Sequence, residues 1–328
     1  MGLVLLLLLG LAALTLPRPD APDLQLHAGV TEAVRHDGGY YAVAADVLRS
    51  GGYPITAFTL PLPTLAVVHA WLPSPVVLAL LYLLAAGMTL AWFERFRVAF
   101  RQPAAVWAAM TALTAGAIVG WQAQLVAVPE VWAGLLIALS LARRDADRWT
   151  EAVGWGLAAA LIGDAAVAYL IVMAAVAWRD GVRREAIGWG LALGVFTIVF
   201  ALHAHAVAQV VRPSDAGIGL WPAFAPGLPI RTWSGVTLLD LLPLSLAALL
   251  VLLAIAGWSA WPDPVALRTG ATLVAYALLM CLAGPFATAA LLTAPVLLIG
   301  LMFVPDVLRD LGAAALDRRR IVVRRVSP

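Results

Sequence analysis

The stretch VVLALLYLLAAGMTLAWF, residues 76–93, carries no charged side chain, and ERFRVAFRQ follows it directly with three arginines. A helix of this length rises about 27 Å, close to the hydrocarbon thickness of a bilayer. Arginines concentrate in the cytoplasmic loops of membrane proteins. We therefore predict a transmembrane helix that ends in a cytoplasmic loop.

The composition of the whole chain is that of a membrane protein. Of its 328 residues, 63% are hydrophobic and 12% are charged, and the mean hydropathy is +0.93, whereas soluble domains hold about 25% charged residues. We predict an all-α polytopic protein, a single transmembrane domain over residues 1–328 with about 10–11 transmembrane helices. The apolar stretches lie near 3–16, 76–93, 103–120, 124–142, 150–163, 165–178, 186–206, 234–257, 266–283 and 286–305.

Two apolar stretches allow more than one interpretation. Residues 3–16 resemble the apolar core of a signal peptide, but no positive charge precedes them and no clear cleavage site follows, which favours a first helix. Residues 62–72 are too short to span a bilayer, so we expect a half-helix that leads into the next pass. Two full passes between residues 61 and 94 would instead reverse the orientation of everything downstream.

The arginines orient the chain. Sixteen of the 21 lie in ERFRVAFRQ, ARRDADRW, WRDGVRRE, the tail 306–328, or at Arg268. Because cytoplasmic loops collect arginine, we predict that these segments and both termini are cytoplasmic. Residues 17–59 and 207–233 then face the periplasm of a bacterial inner membrane. They carry the remaining arginines, which are Arg18, Arg35, Arg49, Arg212 and Arg231.

Residue usage excludes several chemistries. The chain has no lysine, which excludes a Schiff-base lysine and the lysine of a P-loop. Cys281 is the single cysteine, so a disulfide framework and a thiolate metal cluster are also excluded. No cluster of acids offers a site for a hard cation. We expect no metal, no cofactor and no nucleic-acid partner.

Polar side chains collect near the predicted outer side of the membrane. Gln122 and Gln124 begin one pass, His203 and His205 end another, and Asp164 falls where two short apolar pieces meet. A carboxylate at membrane depth is by default a functional-site hypothesis, although Asp164 could instead cap a helix. The histidines point about 200° apart on a helix, which argues against one shared metal ion. Interhelical hydrogen bonds are the alternative role of the glutamines.

The segment HDGGYYAVAADVLRSGGYP, residues 36–54, is polar and aromatic although it adjoins apolar stretches. Asp37 precedes two glycines and an amphipathic helical pattern from Tyr40 to Arg49. We predict a short helix that lies along the membrane interface. Asp37 could be the N-cap of this helix, and Tyr40 and Tyr41 would fit an aromatic interfacial belt.

Two parts of the sequence resemble a known superfamily. An acid precedes a tyrosine-containing short helix and a proline-rich segment in D-GGYYAVAADVLRSGGYP and the following LPLPTLAVV. The stretch from GWQAQ at residue 120 to WRDG at residue 181 joins a glutamine-bearing helix, an arginine turn and a glycine-rich helix. This order is similar to that of the GT-C superfamily of polyprenyl-phosphate-sugar-dependent glycosyltransferases, in particular its bacterial mannosyltransferase-like members. Gly38 stands where many of these relatives carry a second acid.

The resemblance implies a GT-C-like helical bundle and a transfer reaction on the periplasmic face. A sugar would move from a polyprenyl-phosphate carrier to a hydroxyl of a glycan, lipid or protein acceptor, with inversion. By the match Asp37 is the general base, which is worth about 10²–10⁴-fold in rate. Arg35, Arg212 or Arg231 would bind the donor phosphate. The other expected substrate contacts are Tyr40, Tyr41, Gln122, Gln124, Asp164, His203 and His205.

Two other classes of protein compete with a transferase. A transporter or lipid flippase could use Asp164 and the neighbouring glutamines and histidines as a substrate or proton path, but we see no internal duplication of the kind that such proteins often show. A non-catalytic scaffold would not need polar groups to converge on one face. For Arg212 and Arg231, contact with solvent or lipid headgroups is the alternative role.

Overall fold

The computed structural model describes residues 22–37, 39–215, 227–282 and 287–316. Every regular element in these ranges is a helix, so the predicted all-α class is confirmed. The predicted first helix at residues 3–16 lies outside the described residues, as does the tail from residue 317 onward.

The helices are short and are joined by brief turns. Several begin with a proline, whose missing N–H costs no hydrogen bond at the first helical position. The described α-helices are α1 Pro22–Asp37, α2 Tyr40–Ser50, α3 Pro63–Trp71, α4 Ser74–Ala99, α5 Pro103–Gly116, α6 Pro129–Arg143, α7 Trp149–Ile162, α8 Val167–Arg179, α9 Arg183–Ala208, α10 Leu228–Gly235, α11 Leu244–Gly257, α12 Pro264–Leu282, α13 Ala294–Leu297 and α14 Val304–Leu316.

Three of the described helices are long and apolar enough to cross a membrane. They span Ser74–Ala99, Arg183–Ala208 and Pro264–Cys281 and coincide with the passes predicted at 76–93, 186–206 and 266–283. The predicted half-helix is α3, which Leu72 and Pro73 separate from α4. The short helix predicted from Tyr40 to Arg49 is α2; its position along the membrane interface stays a prediction. A half-helix followed by one long helix is therefore the correct interpretation of residues 61–94.

The helices α5 to α8 contain only 13–15 residues each. At 1.5 Å per residue each rises about 20 Å, less than the thickness of the hydrocarbon core. The predicted passes over these segments are thus helical but shorter than expected. The predicted total of spanning helices stays a prediction.

Two predicted passes differ from the structure. The pass at 234–257 is divided into α10, a 3₁₀ turn at Leu238–Leu241 and α11. Pro243 stands between the turn and α11, and proline disfavours helical geometry in the residue before it. The pass at 286–305 is not one regular helix. It contains 3₁₀ helices at Ala287–Leu292 and Leu298–Phe303, with only α13 between them.

The segment 287–303 runs through the centre of the bundle, and most of it is buried. Glycines allow the neighbouring helices to approach its backbone. A Cβ atom at Gly134 would lie 2.2 Å from the carbonyl oxygen of Leu291, and one at Gly257 would lie 1.8 Å from that of Gly300. Backbone contact through small residues is the usual way in which membrane helices pack. Backbone that departs from a regular α-helix is tolerated at membrane depth where protein surrounds it.

The arginine-rich turns meet at one end of the bundle. Arg95 at the end of α4 donates to the carbonyl oxygens of Ala142 and Arg144, both at 3.0 Å, and to Asp263 Oδ1 at 2.8 Å. Arg144 in turn pairs with Glu185 at 2.7 Å. These contacts join the ends of α4, α6, α9 and α12. We call this end of the molecule the arginine-rich end.

The predicted outer segments meet at the opposite end. The hydroxyl of Thr64 in α3 donates to the carbonyl oxygen of Leu161 at 2.6 Å, and His69 Nε2 lies 3.1 Å from the carbonyl oxygen of Val126. The short helix α2 is amphipathic, and its apolar face, which includes Ala44 and Leu48, is buried. It packs in a second, smaller hydrophobic cluster beside α1. The structure thus places α1, α2 and α3 together at this end, and the orientation of the end in a membrane stays a prediction.

Candidate functional site

A cavity of about 280 Å³ opens at the end opposite the arginine-rich turns. The helices α1, α2 and α3 form its walls, and its polar groups come from Arg35 and Tyr40. Trp71 is 85% exposed at its edge. The lining residues are Val34, Arg35, Tyr40, Val67, Ala70 and Trp71. Two of the predicted site residues therefore share one cavity, which we call the outer cavity.

Arg35 is fixed at the wall of the outer cavity by contacts on both sides. Its guanidinium donates to the carbonyl oxygen of His69 at 2.8 Å and to Ser74 Oγ at 3.3 Å, and it lies 3.6 Å from Glu32. These bonds join α1 to the junction between α3 and α4. Arginine presents five N–H donors in a planar fork, so the side chain retains donors for an anionic group.

Asp37 is the last residue of α1, and its side chain lies outside the described part of the molecule. In the chain it stands between Arg35 and Tyr40, which both line the outer cavity. Gly39 holds the N-cap position of α2, without a side-chain cap bond. Gly39, and not Asp37, therefore holds the N-cap position of α2.

The two tyrosines at the start of α2 have different partners. Tyr40 is buried, and its hydroxyl donates to the carbonyl oxygen of Pro61. The Tyr41 hydroxyl lies 3.3 Å from Nδ1 of His203, and the rings of Tyr40 and Tyr41 meet edge to face at 5.2 Å. Burial raises the pKa of both phenols. Both hydroxyls are therefore protonated at neutral pH and can donate hydrogen bonds.

His203 anchors the segment between α2 and α3. It is 2% exposed, and its Nε2 faces the carbonyl oxygens of Ala57 at 3.2 Å and Leu60 at 3.1 Å. Since carbonyl oxygens only accept, Nε2 carries the proton, and the neutral ring then accepts from Tyr41 at Nδ1. These contacts fasten the loop after α2 to α9. His205 is exposed, so the two histidines do not face one cavity.

Asp164 lies at the turn between α7 and α8, near a second carboxylate. Gly163 holds the N-cap position of this turn and Asp164 follows it, with Oδ1 accepting from the backbone N–H of Ala165 at 2.9 Å. Glu130 and Tyr40 lie within electrostatic range of Asp164. Glu130 lies in the first turn of α6, and its Oε2 is buried without a hydrogen-bond partner among the described residues.

The remaining predicted residues lie apart from the outer cavity. Gln124 Nε2 donates to Gln122 Oε1 at 3.2 Å, so the two glutamines pair with each other. Arg212 is exposed and lies 3.2 Å from Asp46. Arg231 is exposed on α10. The structure therefore brings together Arg35, Tyr40, Tyr41 and His203, with Asp164 nearby, but not the whole predicted set.

Sequence reasoning missed Glu130 and Trp71. Glu130 is the one acid in the predicted pass 124–142, and an intramembrane acid is a signal that single-sequence analysis can find. Its position in the first turn of α6 also favours a negative charge through the helix dipole. Trp71 gave no comparable signal in the sequence; the structure shows that it is 85% exposed at the end of α3.

Comparison with family models, with curated proteins and with solved structures finds no match to this chain. Among the described residues, no three His, Cys, Asp or Glu side chains are arranged to hold a metal ion. The predictions that no metal, cofactor or nucleic acid takes part stay predictions.

Proposed function

We propose that the protein is an integral-membrane glycosyltransferase of GT-C type, which transfers a sugar from a polyprenyl-phosphate carrier to an acceptor hydroxyl on the periplasmic face. The observation that carries the proposal is the outer cavity. A fixed arginine and a buried tyrosine line it, and both flank Asp37 in the chain. The cavity lies opposite the arginine-rich end, which would face the cytoplasm by the positive-inside rule.

The reaction needs few protein groups. The acceptor oxygen attacks the anomeric carbon, the bond from that carbon to the phosphate oxygen breaks, and polyprenyl phosphate leaves. Asp37 takes the acceptor proton as general base. One displacement inverts the anomeric centre, so a second carboxylate at glycosidase spacing is not required.

The donor phosphate would bind Arg35. Arginine pairs with phosphate through parallel charge-assisted hydrogen bonds, and Arg35 is the one of the three predicted arginines that lines the cavity. The exposed indole of Trp71 and the partly exposed Val67 offer an apolar surface on which the polyprenyl chain can lie. Tyr40 and Tyr41 would contact the sugar or the acceptor.

The proposal is tested by comparing the envelope glycans and glycolipids of cells with and without the protein by mass spectrometry. We expect one glycan or glycolipid to lose a single sugar residue when the protein is absent. The purified protein in vesicles should then transfer that sugar from a polyprenyl-phosphate donor. An unchanged glycan and glycolipid profile, together with no turnover of polyprenyl-phosphate sugars, would contradict the proposal.

The runner-up function is a transporter or lipid flippase, and the carboxylates of Glu130 and Asp164 favour it. The two lie within electrostatic range of each other, and Glu130 has a buried oxygen without a hydrogen-bond partner among the described residues. Acids of this kind carry protons in transporters. The two functions differ in which acid is essential. Asp164→Asn should abolish transport but leave sugar transfer measurable. Asp37→Asn should instead impair sugar transfer and leave transport measurable.

A further inference from the structure

The carboxyl-terminal end of α3 has a backbone carbonyl group that the helix itself cannot pair. In an α-helix each carbonyl oxygen accepts from the N–H four residues later. The N–H of Leu72 closes the last turn by bonding Val68 at 3.0 Å, but the next residue is Pro73, which has no N–H. Proline also disfavours helical geometry in the residue before it, and Leu72 is extended, with φ −106° and ψ 144°. The carbonyl oxygen of His69 is therefore left without a partner in its own helix.

Arg35 of α1 takes this carbonyl group. Its Nη2 donates to the carbonyl oxygen of His69 at 2.8 Å and to Ser74 Oγ at 3.3 Å. Because both bonds use one nitrogen, the N–H groups of Nε and Nη1 carry no hydrogen bond among the described residues. Glu32 lies 3.6 Å from Nη1, and its side chain is 62% exposed. The guanidinium is thus held at one nitrogen and keeps donors for an anion in the outer cavity.

The imidazole ring of His69 fixes the position of this carbonyl group. His69 is 4% exposed, and its Nε2 lies 3.1 Å from the carbonyl oxygen of Val126. That oxygen also accepts from Trp132 Nε1 at 2.8 Å. Because a carbonyl oxygen only accepts, Nε2 of His69 carries a proton. The ring therefore ties α3 to the segment before α6, while the main chain of the same residue holds Arg35.

We propose that His69 and Pro73 are positioning residues of the outer cavity, which together hold Arg35 in the orientation that binds the donor phosphate. Pro73 keeps the carbonyl oxygen of His69 free for the guanidinium, and the imidazole ring keeps that oxygen in place. Neither residue is among those that line the cavity, so both act through Arg35. A side chain that is already fixed loses less conformational freedom when it binds a ligand. The identity of the anion rests on the proposed function, whereas the hold on Arg35 does not.

The decisive variant is Pro73→Ala, which gives residue 73 an N–H and lets α3 extend. This N–H competes with Arg35 for the carbonyl oxygen of His69. We expect the affinity for a polyprenyl-phosphate sugar to fall roughly threefold to tenfold, as the loss of one hydrogen bond does. In the Arg35→Ala background the same change should have no further effect on affinity, because the two substitutions remove the same interaction.

Pro75→Ala is the matched control. Pro75 is exposed in the same junction as Pro73, but its new N–H would follow Trp71, and not His69, by four residues. Its donor affinity should therefore equal that of the wild type. Equal losses of affinity in Pro73→Ala and Pro75→Ala would contradict the proposal.

A second measurement reports the hold on Arg35 without any donor. Phenylglyoxal reacts with the nitrogen atoms of a guanidinium, and mass spectrometry of the digested protein gives the reaction rate of each arginine. The bonds at the α3–α4 junction should slow the reaction of Arg35, and Pro73→Ala should speed it roughly threefold to tenfold. Arg49, whose ion pairs lie outside this junction, is the internal reference and should react equally in every variant.

Two variants test the ring of His69. His69→Phe removes the N–H donor, but Val126 keeps its bond from Trp132, so no buried acceptor loses its last partner. This variant should act like Pro73→Ala in both measurements. His69→Gln keeps an N–H donor and should restore most of the wild-type values. A purely steric role of the ring would give the opposite order, because phenylalanine replaces its shape better than glutamine does.

The two measurements separate this proposal from the proposed function. Unchanged labelling of Arg35 in Pro73→Ala and in His69→Phe overturns the positioning role, whatever the donor does. Faster labelling with wild-type donor affinity also overturns it, because Arg35 would then bind the phosphate without its hold. If the wild type binds no polyprenyl-phosphate sugar while both variants label faster, the hold on Arg35 is confirmed and the proposed transferase is contradicted.

Discussion

At the scale of single residues, a few polar side chains hold the outer end of the molecule together. Arg35 bonds the α3–α4 junction and faces the outer cavity. His203 binds two carbonyl oxygens of the segment between α2 and α3. Arg49 bonds Asp215 and the carbonyl oxygen of Val210, and so ties α2 to the segment that follows α9. Each of these residues uses its charge or its donors to fix a loop around the proposed site.

Substitution of Arg35 should weaken donor binding. In Arg35→Ala we expect a tenfold to hundredfold loss of affinity, the range for about 1.5–3 kcal/mol of charge-assisted hydrogen bonding. Arg35→Lys should recover only part of it, because lysine lacks the planar fork. The measurement is the affinity for a polyprenyl-phosphate sugar, with thermal stability as a check on folding.

The control for Arg35 is Arg212→Ala, which removes an exposed arginine that pairs with Asp46 away from the cavity. Exposed ion pairs contribute about 0–1 kcal/mol, so this variant should bind donor as well as the wild type. Normal donor affinity in Arg35→Ala would move the phosphate to Arg212 or Arg231.

The bond between Arg49 and Asp215 should make stability depend on pH in the acid range. Arg49 donates to Asp215 at 2.7 Å and holds the pKa of that carboxyl below its usual value. An unfolded aspartate titrates near pH 3.9, so the stabilisation is complete above about pH 5 and is lost as the pH falls through the folded pKa. We expect the melting temperature of Asp215→Asn to lie below that of the wild type at neutral pH and to converge with it in acid.

Asp147→Asn serves as the control for this pH dependence, because Asp147 is an exposed aspartate in the turn after α6. Melting temperatures measured by scanning fluorimetry between about pH 3 and pH 8 cover the whole transition. A difference between Asp215→Asn and the wild type that stays constant down to the lowest pH would contradict the prediction.

At the scale of elements, glycines decide how the helices approach the central segment. Gly257 at the end of α11 meets Gly300, and Gly134 of α6 meets Leu291, each through direct backbone contact. The 3₁₀ geometry of the segment 287–303 accompanies these close approaches. Runs of 3₁₀ helix longer than 3–4 residues are uncommon, so this segment depends on its neighbours for its shape.

Substitution of Gly257 by alanine should destabilise the protein. The new Cβ would lie 1.8 Å from the carbonyl oxygen of Gly300. Neither of these two atoms can move without its backbone, so α11 and the segment 287–303 must separate. Overpacking of this kind costs about 1–3 kcal/mol, which a lower melting temperature would report. Gly190→Ala is the control, since a Cβ there meets nothing within 4 Å and alanine favours the helix. Equal stability of the two variants would contradict the packing described here.

Sequence patterns predict the elements that stand on their own. The long apolar run of α4, the amphipathic α2 and the short α3 follow from length and periodicity. The 3₁₀ geometry of 287–303 does not, because it accompanies backbone contacts with glycines that are far away in the sequence. The division of 234–257 was missed although Pro243 signals it. The same limit applies to the site. Arg35 and Tyr40 were expected, whereas the anchoring role of His203 depends on loop carbonyl oxygens that no local pattern shows.

At the scale of the whole molecule, the two opposite ends of the helical bundle differ in chemistry. One end gathers the arginine-rich turns, and the other gathers α1, α2, α3 and the outer cavity. The sequence predicts this separation because arginines accumulate in alternate loops. In a membrane the two ends would lie in different compartments.

Cysteine labelling tests the orientation. Ser214→Cys lies in the second outer loop, and Ala146→Cys lies in the exposed turn of the arginine-rich end. In intact cells we expect an impermeant thiol reagent to label Ser214→Cys. It should label Ala146→Cys only after the membrane is permeabilised. The wild type, with Cys281 alone, gives the background. Labelling of Ala146→Cys from outside would reverse the orientation.

The most direct test of the proposed transferase is the turnover of purified Asp37→Asn. Asparagine cannot accept the acceptor proton, so we expect turnover to fall by about 10²-fold or more. Donor affinity and melting temperature should stay at wild-type values, because Arg35 and the packing of α1 against α3 are unchanged. Wild-type turnover in Asp37→Asn would contradict the mechanism and would move the search for the base to Asp164 and Glu130.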